Sequence, residues 1–97
     1  MEWEILDDEL VDMYTNKRYG GRYSQAIVKA FRKVMQVIGN AMDERDLYAM
    51  KSLHFEKLQG REPQRSMRLN RQWRLIVELE ESGARRKVRI IGIEDYH

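Results

Sequence analysis

The hydrophobic period of this chain changes from helical to strand-like near residue 51, and that change limits what it can fold into. Before it, Ile27, Phe31, Val34, Met35 and Ile38 recur at intervals of three and four, the spacing of one apolar stripe along a helix. After it, Trp73, Leu75, Val77 and Leu79 alternate with Arg74, Ile76, Glu78 and Glu80, the two-residue period of a strand with one buried face. At 97 residues the chain is too short to divide its core. Stripe and sheet must therefore cover each other within a single domain, residues 1–97.

The remaining elements are set by local signals. Glu2 to Leu6 alternates Glu with Trp3 and Ile5 and predicts a first strand. Asp7 is placed to cap a short helix carrying Leu10, Val11 and Tyr14 inward. The paired glycines in NKRYGGRY (16–23) end that helix in a loop. Ser24 caps the striped helix and Gly39-Asn40 closes it. Asp43 caps a third helix through Leu47 and Met50. Met67 and Leu69 form the inward face of a strand that turns at Asn70-Arg71-Gln72 into Trp73–Glu80. Ser82-Gly83 makes another turn, and Val88 to Ile93 is apolar enough on both faces for a strand inside a sheet. The expected fold is α+β: an N-terminal strand and helices packed on one face of a small, mainly antiparallel sheet, ending in three consecutive strands.

Composition narrows the function. Apolar residues at 42% and charged residues at 35% describe a soluble globular protein. No apolar run approaches the roughly 20 residues that span a bilayer, and MEWEILDDE lacks the features of a signal peptide, which together predict a cytoplasmic protein without a membrane partner. With no cysteine, disulfides, thiolate metal sites and cysteine nucleophiles are excluded, and oxygen or imidazole groups must carry any catalysis. Charge is unevenly spread: residues 1–50 hold seven Lys/Arg against nine Asp/Glu, and residues 51–97 hold eleven against seven. Lys57, Arg61, Arg65, Arg68, Arg71 and Arg74 fall within 18 residues opposed only by Glu62. That density suits phosphate binding, and equally a solvated hairpin. Because strand side chains alternate, Arg68 and Arg74 point away from the helices.

The chain closes with IIGIEDYH, which puts Asp95, Tyr96 and His97 directly beyond a core strand. Three proton-carrying groups in a row suit chemistry, and three polar residues at a terminus also suit fraying. LHFEKLQG (53–60), SMRLNRQWRLIVE (66–78) and EDYH (94–97), taken in order, decide for chemistry, because together they resemble the HigB branch of the RelE-like bacterial toxins.

The resemblance implies a RelE-like microbial ribonuclease fold and a type II toxin that enters the ribosomal A site and cuts mRNA. It also implies neutralisation by a helix-turn-helix (HigA-like) antitoxin, with higher-order assembly on operator DNA through that antitoxin. Asp95, Tyr96 and His97 match the family's terminal catalytic group, and Arg74 matches the arginine that steadies the scissile phosphate. Glu56 stands where some relatives have a catalytic histidine and is read as a solvated or orienting carboxylate rather than a general base. Arg68, Lys57, Arg71 and Arg65 are the expected RNA contacts. Transesterification at a ribose 2′-OH needs a proton acceptor, stabilisation of the phosphorane and a proton donor, with neither metal nor cofactor. The other reading is a catalytically inactive RNA- or protein-binding module on the same fold, since fold alone does not confer activity.

Overall fold

A computed structural model describes residues 1–82 and 85–96, with only the backbone described for Glu81, Ser82 and Arg85. The expected Ser82-Gly83 turn therefore lies partly outside the described residues. Strand β1 (Glu2–Ile5) leads into helices α1 (Asp8–Thr15), α2 (Gln25–Asn40) and α3 (Glu44–Ala49). A short 3-10 turn at Lys51–Leu53 precedes strands β2 (Glu56–Lys57), β3 (Gln64–Arg68), β4 (Trp73–Ser82) and β5 (Arg85–Asp95). The sheet order is β1-β5-β4-β3-β2, antiparallel except where β1 runs parallel to β5. The α+β architecture is as expected, with one correction. Four strands come after the helices, because the two-residue β2 is too short to show an alternating pattern.

The helical stripe is the core. Ile27, Phe31, Val34, Met35 and Ile38 are all buried, and they meet Met67, Leu75, Val77, Val88 and Ile90 on one sheet face. Ser24 caps α2, its hydroxyl accepting from the Ile27 amide at 3.3 Å. The helix ends differently from expectation: Ala41 leaves it in extended backbone, and Gly39 lies in its last turn close to the Trp3 indole. In α1, Met13 joins Leu10 in the core while Val11 faces outward, because the helix presents its 10/13 face to α2 and the sheet. Arg32 on α2 reaches back to the end of α1, donating to the Met13 and Asn16 carbonyls at 2.8 and 2.9 Å, where a cation also complements the helix dipole.

A bulge explains why the apolar run in β5 does not alternate. Ile76 opposes Gly92 and Val77 opposes Ile90, so Ile91 is an extra residue on β5. The insertion lets both Ile90 and Ile93 face the helices. It also shifts the phase of the strand's last residues, placing Glu94 opposite Arg74 on the other side of the sheet.

The loop after α1 is tied down by polar contacts. The Tyr19 hydroxyl donates to Glu9 Oε2 at 2.5 Å, and Arg22 Nε lies 3.2 Å from Glu9 Oε1. A side chain at Gly21 would place its Cβ 2.4 Å from the Tyr19 oxygen, so glycine is required for this close approach. The Tyr19 hydrogen bond is the chief cause of a Glu9 pKa below its ordinary value of 4.5. Tyr19→Phe should cost about 1–2 kcal/mol at neutral pH. Because the folded carboxyl is the stronger acid, that contribution is present above the ordinary Glu pKa and lost as pH falls through the lower folded value. Thermal melts at neutral and acid pH should show the wild-type advantage shrinking on acidification. A gap that is constant with pH would count against the Glu9 contact as its source.

Candidate active site

The hairpin between β3 and β4 sets the site. Asn70 Oδ1 accepts from the Gln72 and Trp73 amides, each at 2.8 Å, an Asx turn that fixes the register placing Arg68 opposite Arg74. From there Arg74 opposes Glu94 on β5, and Ser66 opposes both Ile76 on β4 and Glu56 on β2. Paired residues share a face, so these side chains gather on the side of the sheet away from the helices.

Arg74 is 8% exposed, unusual for an arginine on an uncovered sheet face. Its Nη1 is shared among Glu56 Oε1 at 3.2 Å, the His54 carbonyl at 3.4 Å and Ser66 Oγ at 3.5 Å. His54 can present that carbonyl because its backbone is left-handed, with φ at 48°. Over the guanidinium lies the Tyr96 ring, its centroid 4.2 Å from the central carbon, a cation–π contact. Tyr96 is held there through its own amide, which donates to the Gln72 carbonyl at 2.6 Å. Among the described residues every hydrogen bond made by the guanidinium comes from Nη1. The guanidinium's other edge, Nε with Nη2, is the pair of donors with which an arginine forks onto an oxyanion.

Around Arg74 opens a groove of about 580 Å³, with Leu58 and Ile76 as apolar lining and Arg61, Glu94, Asp95 and Tyr96 among its walls. Gln72 Nε2 donates to Asp95 Oδ2 at 3.1 Å. Arg61 reaches Glu94 with two bonds, at 2.7 and 2.9 Å, which hold the Glu94 carboxyl below its ordinary value. Directly opposite Arg74 on β3, Arg68 places its Nη1 3.3 Å from His54 Nε2.

Of the expected catalytic residues, Arg74, Glu56, Asp95 and Tyr96 come together in or beside this groove, while His97 lies outside the described residues. Arg68 shares the face. Arg65 lies on the other face: it opposes Val77 on the helix side, and its Nη1 donates to Glu44 Oε2 at 2.9 Å and the Tyr48 hydroxyl at 3.0 Å. Strand parity explains this, since residue 65 alternates with Ser66 and Arg68 and points the other way. Lys57 pairs with Arg65 on edge strand β2 and is exposed there, away from Arg74, and Arg71 is exposed at the hairpin turn. Arg61, Glu94 and Ser66 are groove residues absent from the expected set. Arg61 stands in a loop, where periodicity gives no orientation, and the phase of Glu94 depends on the bulge.

A buried arginine beneath an aromatic ring, an apolar wall and carboxylates along one groove mark the sheet's helix-free face as the candidate site of this small α+β fold. Comparison with known families carries this further: the chain matches the family described as RelE-like toxin of type II toxin-antitoxin system HigB over residues 4–89, and it belongs to that family. It is thus a toxin-type component whose family implies an antitoxin partner. The matched region includes Glu56, Arg68 and Arg74 and stops before Asp95 and Tyr96. No curated protein and no solved structure gives a significant match. No helix among the described residues is long and apolar enough to cross a membrane.

Proposed function

We propose that this toxin is a ribosome-dependent endoribonuclease that cuts mRNA in the A site. The observation that carries the reading is Arg74, buried under Tyr96 and lining a groove that Asp95 borders. Arg74 takes the non-bridging oxygens of the scissile phosphate and stabilises the charge that grows on them as the 2′-oxygen attacks. Glu56, on its Nη1, keeps the guanidinium oriented. Asp95, Tyr96 and His97 share the two proton transfers, from the 2′-OH and to the departing 5′-oxygen. An unperturbed imidazole titrates near 6.5, which suits His97 to either transfer. Arg68 and Arg71 track the backbone, and the ribosome supplies the in-line geometry that this shallow groove does not impose. Free RNA is then a poor substrate. In the cell, a HigA-like helix-turn-helix antitoxin neutralises the toxin and carries it to operator DNA.

The test is primer extension on translating ribosomes with a defined mRNA. Wild-type protein is expected to produce a cut at the A-site codon, and His97→Ala to remove it. If neither protein cuts, the reading falls and the inactive binding module takes its place.

A further inference from the structure

Arg61 and Glu94 are 33 positions apart in sequence and meet across the sheet's free face. Arg61 comes from the loop between β2 and β3, and Glu94 from β5, so the pair passes over β4, the strand that carries Arg74 and Ile76. Gln64 Oε1 accepts from Arg61 Nε and Nη2 at 3.1 and 2.7 Å and braces the guanidinium from its loop side. Gly92, opposite Ile76, leaves its own position on this face without a side chain. Arg61 and Glu94 are each close to half exposed, so the pair is accessible rather than packed into the core.

Resting on the RNA-cleaving reading, we infer that Arg61 is a second phosphate-binding residue of the groove and that Glu94 is its internal stand-in for RNA, an anion the RNA backbone displaces. The bidentate fork that grips a carboxylate is the one that grips a phosphate. Glu94 and Gln64 hold Arg61 extended over the groove, which lowers the ordering cost when RNA arrives. An exposed ion pair is weak, so a phosphate can displace the carboxylate. The exchange has a distinctive salt signature. Moving Arg61 from Glu94 to a phosphate releases a counterion from the RNA, while the exposed Glu94 recruits a cation, and the two nearly cancel. Without the Glu94 charge, the release stands alone and adds about 0.7 to the salt slope for a single strand.

The experiment measures binding of a short 2′-O-methyl RNA, which cannot be cleaved, by fluorescence anisotropy between about 50 and 200 mM salt. Thermal melts confirm that each variant is folded. Glu94→Gln is expected to tighten binding about five-fold and steepen the slope by about 0.7. Arg61→Ala should weaken binding about ten-fold, because it removes a cation and leaves Glu94 facing the RNA. Arg74→Ala serves as the reference. If it weakens binding while Arg61→Ala and Glu94→Gln leave both affinity and slope unchanged, the pair is a structural tie and this inference alone fails. Weaker binding by Glu94→Gln also overturns it, making Glu94 a support rather than a stand-in. If Arg74→Ala has no effect, the groove is not an RNA surface, and the proposed function falls together with this inference.

Discussion

Arg74→Lys should lower the rate of mRNA cleavage on translating ribosomes by about 100-fold or more while the protein stays folded. The substitution retains the charge and removes what the site uses. Lysine offers a point charge on a flexible stem, whereas the guanidinium is planar, lies beneath the Tyr96 ring and can fork onto a phosphate. The fold should hold, because the ion-pair partner Glu56 is about half exposed and lysine keeps a cation beneath the Tyr96 ring. Single-turnover cleavage with saturating protein isolates the chemical step, and a melt of the same sample verifies the fold. A rate within a few-fold of wild type would mean that charge alone suffices at this position, which is the behaviour of a binding surface rather than of a transition-state contact.

That site was only partly legible in the sequence. Alternation along β4 put Arg74 opposite the core-facing Trp73 and Leu75, and the turn at Asn70 put Arg68 beside it, because strand parity is local information. The same parity separates Arg65 from Arg68, three residues apart on one strand, so the basic cluster divides between the two faces of the sheet. Glu94 was harder. Its side of the sheet depends on the extra residue Ile91, and a bulge is not visible in an apolar run that suits either face. Arg61 belongs to the loop after the two-residue β2, where side-chain direction comes from tertiary contacts. The cap of α2 and its buried stripe matched expectation because both are set within one or two helical turns. Its C-terminus did not, because Ala41 leaves in extended backbone without needing glycine's left-handed conformation.

Phe31→Ala is expected to cost about 3–5 kcal/mol, the range for removing a fully buried aromatic ring without refilling its space. Phe31 is completely buried on the inner face of α2, in the cluster that joins α1 through Leu10 and Met13 and the sheet through Leu75 and Val77. Folded domains hold a margin of only about 5–15 kcal/mol, so this one change should remove a large part of it. Denaturant unfolding should show a lower midpoint with an unchanged slope, the signature of lost stability rather than a different unfolded state. A cost below about 1 kcal/mol would mean that α2 does not anchor the sheet as its packing implies. With a margin at the low end of that range, this variant and Arg74→Lys would look alike in an activity assay, although every groove residue is intact in the first and the whole core is intact in the second. The two losses separate only when stability and cleavage are measured together. Such a measurement would establish that α2 supports the sheet and that the sheet's other face does the chemistry.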